Sequence, residues 1–364
     1  SLLYIDSLLP NKNYQYQVSS IENPATSNEL SVTTLDTTSH NFSFESFVFG
    51  GQYQSSILYD VALLNNNSIW AVGEIYILDS LGQPIRYNAV HWDGNQWELK
   101  RINMESSCNP VTYPPLRAIS AFSENNIIVT SGGSIGWFDG ETINVDCGVN
   151  PLLTGSINKI WGSSSNDLYV VGNDGNIAHY QNGQWSRIES GVSTDLLDIC
   201  GKGEDIFIGG WRDFQPSVLL KLENGNVQKI IEDEDNLFNY RTDFISGAIY
   251  SAWMTEKKLY VLTWYDLYRA NINTDGTAEA IWKGPIQNWG MISVRGNNAN
   301  DIIASGVPGK IWHYNGISWH TYNELIDSRD ELRRIEIKGN VCVAVGERYE
   351  NGIEDKALIH IGKR

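Results

Sequence analysis

Apolar residues in this chain come in short runs, each closed by a small cluster of Asn, Asp, Gly or Ser. Residues 157–188 show the pattern most clearly: INKIWGSSSNDLYVVGNDGNIAHYQNGQWSRI. Four β-branched and aromatic pieces (157–162, 168–172, 177–180 and 185–188) are separated by polar turns. Pieces of this kind predict strands joined by tight hairpins. Helical periodicity is sustained nowhere.

The rest of the chain repeats the unit. Aligned on the Gly that ends the second strand, copies appear at Gly73, Gly132, Gly172, Gly209, Gly306 and Gly346, and a degenerate copy surrounds Thr263. A polar turn precedes that strand each time, and a Gly-containing turn often follows the third strand, as at Gly94, Gly140, Gly183, Gly225 and Gly316. Spacing is mostly roughly 40 residues, the period of propeller blades. One four-stranded blade cannot bury both its faces alone, whereas a ring of blades stacks each face on a neighbour. The expected fold is therefore all-β: a seven-bladed β-propeller spanning residues 37–364. The last unit shows only three clear strands, and residues 41–49 (NFSFESFVF) alternate apolar and polar. Pairing that strand with 356–361 would close the ring and remove two open edges.

Residues 1–36 lie outside the repeat. The stretches LLPNKNYQYQV (8–18) and SNELSVTTL (27–35) resemble the last two strands of a fibronectin type III domain, whose tyrosine-corner strand carries the same Leu-Pro-x-x-x-Tyr-x-Tyr-x-Val run. The resemblance implies the end of a sandwich whose first strands are absent, a remnant or the tail of a longer protein, joined to the ring by a linker at 36–40. It leaves a hairpin expected to be mobile, or docked on the ring or on a neighbouring chain. Residues 35–42, 55–74 and 88–97 resemble uncharacterised propellers of secreted bacterial proteins in which a fibronectin-type module precedes the ring. That resemblance implies a fold and an extracellular or cell-surface location, and no activity. The pattern NDLYVVG (166–172) followed by HYQNGQW (179–185) is also loosely similar to sialidase-type repeat propellers, but their Ser-x-Asp-x-Gly-x-Thr-Trp box is not intact here.

Composition narrows the partners. The formal net charge is −17, and nucleic acid or an anionic membrane surface demands a basic footprint. No stretch is apolar enough to insert in a membrane. Cys200 and Cys342 fall in strands and read as small buried side chains. Cys108 and Cys147 fall in adjacent blades, so a disulfide between them is geometrically possible; it would need an oxidising compartment. No Cys/His spacing suggests zinc, and no cofactor is expected. The acidic run at 232–235 could hold calcium, yet it lacks an EF-hand register.

The long connections all fall on one rim. Calling the strands of a blade A (inner) to D (outer), the B–C and D–A segments at 74–87, 103–115, 211–216, 232–243 and 347–355 share a face. The A–B and C–D turns of the other face are tight. Elaborated loops on a rigid scaffold are where function usually sits. On that rim Trp211, Trp264 and Trp289 break the repeat, whereas Trp92, Trp97, Trp185 and Trp319 recur with the fold and read as wedges between blades. Trp211, Arg212, Asp213, Trp264, Tyr265, Trp289, Arg348 and Tyr349 are the candidate ligand-binding residues, an aromatic platform beside charged groups. Arg117 and Arg333 lie near A-strand starts, where side chains can enter the channel mouth; with Arg86, Arg212 and Arg348 they could bind a carboxylate, or simply pair with neighbouring acids. His91, His179, His313 and His360 share one strand-C slot and read as packing groups, and His40 and His320 lie outside it. Asp213, Asp266, Glu347 and Glu350 could supply a carboxylate pair for glycoside hydrolysis. No Gly-x-Ser-x-Gly, P-loop or dinucleotide fingerprint is present. The expected function is a non-catalytic extracellular module that binds a glycan or a protein through this rim. The rival readings are a carbohydrate-active enzyme at the channel mouth and a structural subunit of an extracellular assembly.

Overall fold

The computed structural model describes residues 9–17, 28–234, 240–281, 290–350 and 354–364. Seven four-stranded antiparallel sheets follow one another along the chain. Blade one is Ile57–Asn65, Ser68–Leu78, Pro84–Trp92 and Trp97–Lys100. Blade two runs from Ile119–Ser123 to Ile143–Asp146, blade three from Ile157–Ser164 to Gln184–Glu189, and blade four from Leu196–Lys202 to Asn226–Asp233. Blade five runs from Ile249–Met254 to Glu279–Ala280, and blade six from Met291–Asn298 to Trp319–Thr321. Each A strand contacts the A strands of both neighbouring blades, and the seventh contacts the first, so the sheets form a ring.

Blade seven closes the ring as expected. Its strands Asp330–Lys338, Val341–Arg348 and Lys356–Lys363 are completed by Ser43–Phe49. The register runs antiparallel from Ser43 opposite Lys363 to Phe49 opposite Ala357. Alternation in this strand turns Phe47 and Phe49 onto the apolar cluster shared with blade one.

The core is not one body but seven seams. Each apolar cluster draws its buried side chains from two adjacent blades: Val72 and Leu116 between blades one and two, for example, or Leu262 and Met291 between five and six. The recurring Trp residues lie in these seams, as expected of wedges: Trp92 and Trp97 sit 5.5 Å apart, and Trp185 lies 5.0 Å from Tyr180.

The repeat Gly has a steric cause. A Cβ at Gly73, Gly172, Gly306 or Gly346 would fall within 2.2 Å of the carbonyl oxygen at the start of strand A. Only a residue without a side chain lets the two backbones approach this closely. Two sequence assignments shift by one residue. The position opposite Leu196 is Gly210 rather than Gly209. In blade two it is Ser131, because the Thr130 amide donates to Ala118 O while Thr130 O accepts the Arg117 amide; Gly132 lies one residue on, in a turn with φ +56°.

Before the ring, Asn13–Tyr16 and Leu30–Thr33 pair as a two-stranded antiparallel hairpin. The Leu9 amide donates to Tyr14 Oη at 2.8 Å. The linker is fastened to blade six: Thr38 Oγ1 donates to Asn300 O at 2.8 Å, and Tyr322 Oη donates to His40 O at 2.8 Å. His40 Nδ1 meets His313 Nδ1 at 2.8 Å, so one ring must donate and the other accept. His313 Nε2 meets Asp301, which Arg364 also grips. Burial, then His313, His320 and Arg364, hold His40 down to about 4. On the closing strand itself, Ser46 bonds His360 at 2.7 Å, and burial with help from Arg348 lowers that imidazole to about 4.

Both histidines are therefore neutral in the folded ring where the unfolded chain would carry charge. Between the ordinary imidazole value of 6.5 and about 4 the unfolded state binds more protons, so stability must fall as the medium acidifies. We expect the urea midpoint to decline over that window and to stay level above it. Replacing both groups, His40→Gln with His360→Gln, should flatten the slope. A midpoint that is flat in the wild type from 6.5 to 4 would contradict the assignment.

Candidate functional site at the channel mouth

Six of the seven A strands carry a β-bulge near their first residue. The register shifts lie between Leu58 and Asp60, Ile157 and Lys159, Leu196 and Asp198, Ile249 and Ser251, Met291 and Ser293, and Leu332 and Arg334. The extra residue in each is Tyr59, Asn158, Leu197, Tyr250, Ile292 or Arg333. Arg117 takes the same place in blade two, after Leu116. A bulge re-aims a side chain out of the sheet's alternation. Here the result is a ring of seven side chains, one per blade, which with Glu331 and Arg334 lines a cavity of about 230 Å³. The cavity opens on the face that carries the long B–C and D–A segments.

The ring is uneven. Blades seven, one and two supply Arg333, Tyr59 and Arg117. Tyr59 Oη donates to Glu74 at 2.7 Å, and the Arg117 guanidinium lies over the Tyr59 ring, 3.9 Å from its centre. Arg333 is held between Glu347 at 2.6 Å and Glu331 at 3.2 Å. Blades four, five and six supply Leu197, Tyr250 and Ile292, an apolar arc. Burial, with Asp213 and Glu331 adding, pushes the Tyr250 hydroxyl well above its usual range, so it stays a neutral donor. Asn158 stands between the arcs; its amide donates to Asn173 and to Leu196 O.

One layer down, charged side chains plug the channel. Lys159 reaches from blade three to both oxygens of Asp60 in blade one, at 2.6 and 2.7 Å. Arg295 of blade six grips Asp198 of blade four with two nitrogens, at 2.9 and 3.0 Å, and meets Glu336 of blade seven at 3.2 Å. Asp60 also accepts the Ile119 amide, and Asp198 the Ala252 amide, so blades two and five are tied in. Burial opposes the charge on Asp198, yet Arg295 and Arg334 keep its carboxyl well below the usual range. Burial raises Glu336, with Arg295 opposing. Beyond the plug the plain-face mouth encloses about 300 Å³ among Trp161, Cys200 and Trp253.

The predicted rim residues divide. Trp211 and Trp264 are brought together by a residue the sequence reading did not select. Tyr250 lies between them, its ring 5.4 Å from Trp211 and 5.6 Å from Trp264. The Trp211 indole N–H is buried without a partner. Asp213 is exposed on the loop beside it. Tyr265 packs 6.3 Å from Tyr240. Arg212 is taken by Asp174 and Asp195 at 2.9 and 3.0 Å, and Arg348 binds Asp330 through two nitrogens at 2.6 and 2.7 Å. Tyr349 lies 2.8 Å from Glu331 and 3.3 Å from Glu347. Trp289 and part of the acidic run lie outside the described residues. Asp266 is buried against Tyr240, and Glu350 faces Arg329 and Lys356. Beside the cavity, Glu331 and Glu347 share Arg333 and Tyr349. Cys108 and Cys147 are joined as a disulfide, with Cα atoms 5.7 Å apart, and it staples two D–A connections of the same face. Among the described residues no cluster of His, Cys, Asp and Glu fits a metal, and no helix is long and apolar enough to cross a membrane.

No protein-family model matches the chain, and no curated protein matches it either. Solved structures do. The chain is similar to YCF48 bound to D1 peptide, at 12% identity and TM-score 0.64, over 90% of this chain and 99% of that one. It is similar to YCF48 from Cyanidioschyzon merolae at 14% identity and TM-score 0.58, over 86% and 98%. The WD40 β-propeller domain of Doa1 gives 11% identity and TM-score 0.59, over 89% and 97%. At these identities the likeness establishes the seven-bladed propeller fold alone.

The plug yields a direct test. Lys159→Met removes both ammonium hydrogen bonds from the buried Asp60 carboxylate and leaves it only Arg334 at 4.0 Å, which should cost about 3 kcal/mol of unfolding free energy. Adding Asp60→Asn, which still accepts the Ile119 amide, should recover most of that loss. Additive losses in the double variant, measured by urea denaturation, would show that the two groups do not act as a pair.

Proposed function

We propose that this propeller is a non-catalytic binding module that receives a segment of a partner protein at the channel mouth. The observation that carries the reading is the bulge ring. Six blades spend an inner-strand bulge on aiming one side chain into the same cavity, and Arg117 of blade two joins them. What they aim is an apolar arc, an amide and guanidiniums, a mixture that suits a peptide with both side chains and backbone to satisfy. The structural neighbour that carries the D1 peptide is a propeller of similar shape, which agrees with a protein ligand without identifying it. The Cys108–Cys147 disulfide fits an oxidising location, secreted or cell-surface.

A glycan reading draws on Trp211, Tyr250 and Trp264. Those rings pack on one another, which leaves less open face than a sugar platform needs.

The test is a random dodecapeptide library selected on the whole chain, with affinities measured by fluorescence anisotropy. Leu197→Glu and Ile292→Glu put charges into the apolar arc at half-buried positions. They should weaken selected peptides by about tenfold or more, whereas Lys257→Ala on the plain face should leave affinity within about twofold. Peptides indifferent to both arc variants would overturn the reading. Neutral oligosaccharides that bind the wild type and are lost on Trp211→Ala would replace it with the glycan one.

A further inference from the structure

We infer that the mouth recognises a carboxylate beside an apolar side chain, and that Arg117 is the group that receives the carboxylate. The inference rests on the peptide-binding reading and specifies its chemistry.

Charge at the mouth runs against the rest of the protein. The chain carries −17 overall, yet the cavity is lined by three guanidiniums, Arg117, Arg333 and Arg334, and one carboxylate, Glu331. Two of the three cations are committed. Arg333 is neutralised by Glu347 and Glu331. Arg334 donates to Leu197 O at 2.8 Å and faces Asp60 in the plug at 4.0 Å. Arg117 differs from both: among the described residues no carboxylate lies within ion-pair distance of it, and it is exposed.

Its geometry is prepared rather than loose. The guanidinium stacks on Tyr59 at 3.9 Å, and Tyr59 is itself fixed by its bond to Glu74, which Tyr76 also grips at 2.9 Å. A stacked guanidinium presents its N–H edges sideways, the arrangement that binds a carboxylate with two parallel hydrogen bonds. Lining walls of low dielectric strengthen such a contact relative to open water. The opposite arc, Leu197, Tyr250 and Ile292, has no charge to offer and accepts an apolar side chain. The ring thus fits a residue pair in which a carboxylate and an apolar group point to opposite walls. An apolar residue at a free C-terminus has this form, and so does an apolar residue next to Asp or Glu.

Isothermal titration of the whole chain with four hexapeptides separates the sources. One pair is acetyl-GSGSAL as the free acid and as the C-terminal amide. The other is acetyl-GSELSG-amide and its Glu→Gln form. We expect one member of a pair to bind at least about tenfold more tightly than its neutralised counterpart, and to lose that advantage in Arg117→Gln. Preference for the free acid assigns the chain terminus, and preference for the Glu form assigns the side chain. Arg117→Lys should recover only part, since an ammonium lacks the fork. If Arg117→Gln leaves affinity within about twofold while Leu197→Glu abolishes it, the carboxylate inference fails and the peptide reading stands. If neither variant matters, the peptide reading fails with it. An oligogalacturonate that binds through Arg117 while all four peptides do not would keep the carboxylate contact but overturn its assignment to a protein.

Discussion

A row of blades has two open ends, and an open strand edge is a template for pairing with another chain. The pairing of Ser43–Phe49 with Lys356–Lys363 removes both ends at once, and the rest of the structure depends on it. Without that strand, blade seven would present His360 and Ile359 to water, and the seam with blade one would lose Phe47 and Phe49. With it, every A strand has a neighbour on each side. The six bulges and Arg117 then fall on one circle, and a cavity has walls.

That closed circle explains why the charged plug is tolerable. Asp60 and Asp198 are buried almost completely, a costly arrangement unless each charge is paired and hydrogen-bonded. Lys159 and Arg295 reach their partners across the channel only because the ring fixes the distance between non-adjacent blades. The same plug gives the cavity a floor, so the two mouths are separate sites rather than a pore. The bulges do the remaining work: they turn one side chain per blade upward, while the next residue points down into the plug, as with Tyr59 above Asp60 and Asn158 above Lys159.

The fold was largely legible in the sequence, because what repeats is backbone geometry. Gly73 and its counterparts recur since an opposing carbonyl leaves no room for a Cβ, and that constraint writes itself into residue identity. It blurs by one position in blades two and four, where Ser131 and Gly210 hold the place. The site was less legible. The bulge residue is reached through geometry, and its identity runs Tyr, Arg, Asn, Leu, Tyr, Ile, Arg around the ring, which no pattern betrays. Arg117 and Arg333 were found from their position near strand starts, whereas Tyr59, Asn158, Leu197, Tyr250 and Ile292 were missed. A signal did exist: each follows an apolar residue at the start of strand A. Of the rim candidates, Trp211 and Trp264 meet across Tyr250, while Arg212 and Arg348 are consumed by acids, as the plainer reading of surface arginines holds.

The most direct test of the central claim is hydrogen–deuterium exchange on the whole chain with and without a selected peptide. The account predicts added protection at the segments around Tyr59, Arg117, Tyr250 and Arg333, contributed by blades one, two, five and seven together. Protection confined to the tight turns of the opposite face, such as 182–184 or 255–258, with none around the bulges, would contradict it.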